Sequence, residues 1–247
     1  MAERGTDFKD RKDKILAITI EKYINTVSPV GSHFIEKELN RNLSSATIRN
    51  VLADLERDGY LTHPHTSAGR IPTEKGYRYY VDHLMQEIKL LEEEKTRIKT
   101  QYRKERLELE DLLNKTSQML SDMTHYTSII SVDGWGSKIF CSGTSFVVEY
   151  PDSQDIHKIK NILAALEQKE RLLDVINKNL ASRIEIFIGH EMALREVDQC
   201  SLVVSGYKFK TGPSGRIAVL GPTRMNYERV VSTLNYISDL IEEIHQK

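Results

Sequence analysis

The chain has 247 residues, 39% of them hydrophobic and 29% charged, with a formal net charge of -1. That length can bury a core and suits two domains. No apolar run approaches the roughly 20 residues of a membrane span, and "MAERGTDFKDRKDK" lacks the apolar centre of a signal peptide, so a cytoplasmic protein with no membrane partner is expected. Cys141 and Cys200 are the only two cysteines and fit no metal or redox spacing, and near-neutral charge puts the burden of any nucleic-acid claim on local placement.

In chain order, "DKILAITIEKYINT" sets Ile15, Leu16, Ile18, Ile20, Tyr23, Ile24 and Val27 on one broad apolar face, which predicts a packed helix. "SPVGS" reads as a turn, and Ser32 as the cap of a short helix "HFIEKELN" with Phe34, Ile35 and Leu39 inward. In "LSSATIRNVLADLERDGYL", Ser44 or Ser45 can cap a third helix. Ile48, Val51, Leu52 and Leu55 form its buried stripe, and Gly59 can end it at positive φ. Its other face holds Thr47, Arg49, Asn50 and Ala53. Three short helices with a tight connection before the third match a helix-turn-helix. Strands at 60–62 and 70–71, joined by "HPHTSAG", add a wing whose tip carries His65, Thr66, Ser67 and Arg70, with Gly69 letting the backbone approach closely and Thr73 capping the next helix.

From 81 to 126, Leu84, Ile88, Leu91, Lys95, Ile98, Tyr102, Glu105, Leu109, Leu112, Thr116, Met119 and Met123 alternate four and three residues apart. This predicts one long heptad-patterned helix, roughly 65–70 Å at about 1.5 Å per residue. Such a stripe needs cover from either a second chain or the C-terminal domain. Pairing across a homodimer is the expectation taken here for Leu84, Ile88, Leu91, Ile98, Tyr102, Leu109 and Leu112.

Beyond 126, "SIISV", "TSFVVEY", "RIEIFIG", "SLVVSGYKF" and "RIAVLG" read as strands, the last two joined by the turn "KTGPSG". The stretch 153–180 reads as one helix or two with Ser153 as cap, and a last helix follows Thr223 as its N-cap. The fold class is therefore α+β: an N-terminal winged helix-turn-helix at 1–80, a long connecting helix at 81–126 and a small antiparallel-sheet domain at 127–247.

The stretch "SSATIRNVLADLERDGYLTHPHTSAGRIPTEKGYRYYVD" resembles the bacterial heat-inducible transcription repressor family HrcA, as do "DIHKIKNILAALEQKERLL" and "VLGPTRMNYERVVSTLNYISDLI". The resemblance implies a winged-helix domain followed by a GAF-like domain. It also implies a repressor of chaperone operons that binds double-stranded DNA at an inverted-repeat operator, the CIRCE element, and depends on a GroEL-type chaperonin. The segment between Tyr126 and Asp155 is too short for the family's usual middle section, so much of the first half of the GAF-like sheet and the inserted dimerising region are expected to be missing.

On the recognition helix, the matching positions are Ser44, Ser45, Thr47, Arg49 and Asn50. Arg49 can pair with guanine O6/N7 and Asn50 with adenine N6/N7; alternatively Arg49 holds a phosphate and Asn50 is solvated. Ser44 is either a plain cap or a cap that also aims helix N–H groups at phosphate. On the wing, His65, Thr66, Ser67 and Arg70 read as phosphate or minor-groove contacts, or as a solvated loop with Arg70 paired to an acid. Lys12, Arg41, Lys75 and Arg78 are weaker candidates. No Ser/His/acid set, metal cluster or phosphate loop stands at usable spacing, so no enzyme and no cofactor are expected. A winged-helix regulator controlled by a small ligand in the C-terminal domain is the competing reading.

Overall fold

A computed structural model describes residues 2–65, 69–103, 109–149, 156–177 and 182–243. The chain divides into two compact units, 1–86 and 87–247. Among the described residues no helix is long and apolar enough to cross a membrane.

In the first unit, α1 (Ala2–Thr26), α2 (Ser32–Glu38) and α3 (Ser45–Arg57) pack through Ile15, Leu16, Ile20, Ile35, Ile48, Val51, Leu52 and Leu55, all buried. The first helix begins well before the expected Asp13. Gly31, not Ser32, occupies the N-cap of α2, and it offers no side-chain bond. Ser44 caps α3 as expected, accepting from the Thr47 backbone N–H at 3.2 Å, and Gly59 takes a φ of 79° just after the helix. The hairpin β1 (Leu61–Thr62) and β2 (Ile71–Pro72) pairs Leu61 with Pro72 and Thr62 with Ile71. Val30 and Arg70 add an antiparallel bridge, each backbone N–H reaching the other's carbonyl at 2.9 Å. A side chain at Gly69 would stand 2.6 Å from the Val30 carbonyl oxygen, so only glycine permits this approach. Thr73 caps α4 (Glu74–Tyr79), accepting from the Gly76 N–H at 3.1 Å, and a π-turn at Tyr80–Leu84 closes the unit.

The second unit is a five-stranded antiparallel sheet, in the order β4-β3-β7-β6-β5. Its strands are β3 (Thr127–Val132), β4 (Ile139–Ser142), β5 (Ile184–Ile188), β6 (Cys200–Lys208) and β7 (Ser214–Pro222). Alternation along each strand divides its residues between two faces. Ile129, Leu202, Val204, Ala218 and Leu220 share one core with residues of α7 (Phe146–Glu149), α8 (Ile156–Glu167) and α9 (Lys169–Ile176). The opposite face meets α6 (Leu109–Thr124) and α10 (Tyr227–Glu243), partly through paired hydroxyls: Ser117 with Ser128 at 2.7 Å, Ser201 with Tyr227 at 2.7 Å and Ser205 with Ser238 at 3.0 Å. Each of these buried oxygens therefore keeps a partner. Helices thus cover both faces of the sheet. One of its two edge strands, β4, was missed by the sequence reading; the other is β5.

Two expectations are corrected here. The stretch read as a strand at 144–150 is none over its described residues 144–149: Gly143 at φ 77° turns the chain, and Phe146–Glu149 coils into α7. A Cβ at Gly143 would fall 1.7 Å from the Ser121 hydroxyl, which shows how closely this turn lies against α6. The last helix starts at Tyr227, with Asn226 Oδ1 accepting from the Arg229 N–H at 3.0 Å; Thr223 instead gives its N–H to the Gln199 carbonyl at 3.2 Å. Of the two readings left open for the stretch after 155, the structure has two helices, parted at Gln168, whose ψ of 61° leaves the helical region. Ser153 lies outside the described residues.

The largest correction concerns 81–126. The single long helix is replaced by the π-turn to Leu84, a non-helical stretch at 85–91, α5 (Glu92–Arg103) and α6. Met85 leaves the helical region at ψ 138°, Leu90 is buried, and the Leu91 N–H is taken by Glu94 Oε2 at 3.0 Å. Of the proposed seam, Ile98, Leu112, Thr116, Met119 and Met123 are buried within their own chain, α6 covering β3, β4 and α10. Ile98 and Leu112 are thus unavailable for pairing across a dimer. Leu84 and Leu109 are half-buried, Ile88 and Leu91 stay exposed, and the side chains of Tyr102 and Glu105 lie outside the described residues.

Helix α5 is tied to α10 by Arg229, whose Nη2 donates to Glu94 Oε1 at 2.6 Å while its Nε donates to the Met123 carbonyl at 3.1 Å. The Arg229 guanidinium, and after it the Leu91 N–H, hold the Glu94 carboxyl below its ordinary value. A depressed carboxyl stabilises the fold above the unfolded pKa of about 4.3 and loses that contribution as pH falls through the folded value. Glu94→Gln should therefore melt at lower temperature than the wild type at pH 7, by about 1 kcal/mol for this partly exposed pair. The difference should shrink as pH drops below about 4, measured by circular dichroism melts across pH; a gap that persists unchanged in acid would exclude the ion pair as its source.

Candidate nucleic-acid interface

Helix α3 presents one continuous solvent face. Ala46, Arg49, Asn50, Ala53 and Arg57 are all exposed and recur at intervals of three, one, three and four, while the opposite stripe is buried. The alanines leave room for close approach, and Arg49 and Asn50 stand between them with free reach. Local hydrogen bonds order the amino-terminal end. Ser44 Oγ and Thr47 Oγ1 lie 2.9 Å apart, Ser32 Oγ and Ser45 Oγ 2.9 Å apart, and Arg49 Nε donates to Ser32 Oγ at 3.3 Å. Ser32, expected to be a cap, thus acts as an anchor that orients Arg49. Sequence reasoning missed this role because the two residues lie 17 apart.

The connection before α3 is strained. Asn40 and Arg41 occupy successive left-handed positions, φ 50° and 59°, and both are exposed. Among the weaker basic candidates, Lys12 pairs with the Asp58 carboxylate, Lys75 Nζ donates to the Asp58 carbonyl at 2.8 Å, and Arg78 pairs with Asp82 at 3.1 Å. The Lys12 ammonium holds the Asp58 carboxyl below its usual range. These three cations have partners within the unit.

On the wing, His65 is exposed; Thr66 and Ser67 lie outside the described residues. Arg70 does not sit at the tip. It occupies the base, bridged to Val30 through its backbone and paired through Nη2 with Glu56 Oε2 at 2.8 Å. The other oxygen of Glu56 meets His63 Nδ1. One carboxylate on α3 therefore clasps two side chains of the hairpin, a connection that sequence spacing does not disclose.

Residues 132–231 match the family model described as the HrcA protein C terminal domain. The heat-inducible transcription repressor HrcA of Symbiobacterium thermophilum is 30% identical to this chain, covering 96% of it and 98% of the relative. The chain belongs to the HrcA family. The HrcA of Carboxydothermus hydrogenoformans is likewise 30% identical, over 95% of this chain and 97% of the relative. The first of these alignments runs to 336 positions against the chain's 247 residues, so the HrcA relative carries residues that this chain lacks. A solved structure titled a hypothetical protein, at 2.2 Å resolution, shares the fold with a TM-score of 0.73 and 19% identity, over 95% of this chain and 97% of that one. These HrcA relatives are transcription repressors, not enzymes, in line with the expectation from the sequence.

Proposed function

We propose that this HrcA-family chain represses heat-shock (chaperone) operons by binding double-stranded DNA at an inverted-repeat operator of the CIRCE type. The observation that carries the reading is the exposed face of α3, where Arg49 and Asn50 are flanked by alanines at the end of the helix that Ser44 caps. Such a helix enters the major groove amino-terminal end first, with Arg49 on a guanine and Asn50 on an adenine, while Ser44, Ser45 and Thr47 order the helix end beside phosphate. The wing tip at His65, with Thr66 and Ser67, meets the neighbouring backbone.

An inverted repeat calls for two copies, their reading helices about 34–36 Å apart or a multiple of that. The chain therefore acts as a homodimer. Among the described residues of the original seam, Ile88 and Leu91 offer well-exposed apolar side chains for the contact. A GroEL-type chaperonin maintains the active form. Footprinting on the cell's own chaperone-gene promoters, with and without purified chaperonin, tests the whole reading. A protected inverted repeat, deeper with chaperonin, is the expected result; uniform protection of random and promoter duplexes alike would refute it.

A further inference from the structure

Glu56 is an odd residue to find on the flank of a helix that meets DNA, because a carboxylate there faces the phosphates' own charge. Its surroundings explain how it is accommodated. One oxygen takes Arg70 at 2.8 Å and the other takes His63, so both lone-pair edges are occupied by wing-side donors. Arg70 cannot swing away with the loop, since its backbone N–H and carbonyl are both bonded to Val30 at 2.9 Å. Gly69 presses the chain against Val30 from the other side. The guanidinium thus emerges from a fixed backbone position, partly shielded, with the α3 carboxylate as its held partner.

Resting on the DNA-binding reading above, we propose that Glu56 is a positioning residue that keeps Arg70 from closing on backbone phosphate, and so raises the operator's advantage over other sequences. Phosphate contacts supply sequence-independent affinity; base-edge contacts supply discrimination. A cation engaged by its own chain adds nothing to the first. The energy of binding then falls on Arg49 and Asn50, which touch sequence. Removing the acid's charge has two effects of the same sign: it releases a guanidinium for phosphate, and it deletes a like charge near the duplex.

The test is Glu56→Gln, which keeps the shape and an acceptor oxygen, measured against an inverted-repeat promoter duplex and a scrambled duplex over a salt series. Scrambled-duplex affinity should rise about threefold to tenfold, with log K against log salt steeper by about 0.9, the worth of one further phosphate. The double variant Glu56→Gln with Arg70→Gln should return to the wild-type slope. Arg70→Gln alone should leave that slope where it is. A loss of affinity on both duplexes for Glu56→Gln makes the residue a simple strut and overturns the proposal. So does a slope that falls by one phosphate in Arg70→Gln, since Arg70 would then already hold the backbone. Wild-type protein that binds neither duplex removes the DNA-binding reading itself, and this proposal with it.

Discussion

Arg49→Ala is expected to lower affinity for the operator duplex by about 5–150-fold, the worth of about 1–3 kcal/mol carried by one good bidentate base contact. Binding to scrambled duplex should change little. Arg49 is exposed on α3, and its Nε is already committed to Ser32 Oγ at 3.3 Å. The two terminal nitrogens remain, in the planar fork that matches the O6/N7 edge of guanine. Anchoring Nε also limits the rotamers that the side chain must give up on docking. Ser32→Ala should therefore produce a smaller loss in the same direction, on the operator alone. Fluorescence anisotropy with the two duplexes at one salt concentration measures both. Equal losses for Arg49→Ala on operator and scrambled DNA would assign the residue to phosphate and leave Asn50 as the only base reader on that face.

The second large effect is on folding. Ile98→Asp should destabilise the second unit by several kcal/mol, because Ile98 is 1% exposed on α5 and its replacement both vacates apolar volume and buries a carboxylate. Leu91→Asp, at a site 66% exposed within the chain, should leave the folding of the second unit within about 0.5 kcal/mol of the wild type, its cost falling on the proposed dimer contact instead. Trp135, the single tryptophan, lies in the second unit between β3 and β4 and reports its unfolding by fluorescence. Urea titrations of both variants give the comparison. If Ile98→Asp kept its midpoint and only halved the mass in solution, α5 would be pairing between chains after all.

That contrast shows where spacing stops being informative. Alternating steps of four and three from Leu84 to Met123 describe a helix with one apolar stripe, and a coiled-coil partner and a β-sheet cover such a stripe equally well. In the structure α6 spends it on β3 and β4, with Ser117 matched to Ser128. The break at 85–91 is silent in sequence for a different reason. No glycine or proline stands between Val81 and Thr124, so local propensity favours continuing the helix. What opposes it is distant: Leu90 is buried, and Glu94, held by Arg229 of the last helix, takes the Leu91 N–H. The misread strand at 144–150 has the same origin, since Phe146 and Val147 suit a strand until the turn at Gly143 must fit beneath Ser121.

The winged unit was more legible because its signals act over a few residues. Ser44 and Thr73 cap helices by bonds three residues long, Gly59 supplies a backbone angle at its own position, and the exposed face of α3 follows from a period of 3.6. Those are properties that a linear chain carries by itself, and they were enough to locate Arg49 and Asn50. Which acid would engage Arg70, which serine would steer Arg49 and which surface would cover the stripe of α6 were settled only when segments 14, 17 or more than a hundred residues apart came together. A carboxylate or an apolar stripe specifies what kind of partner it needs; the packed fold alone supplies the particular one, because only close contact decides between many residues of the same kind.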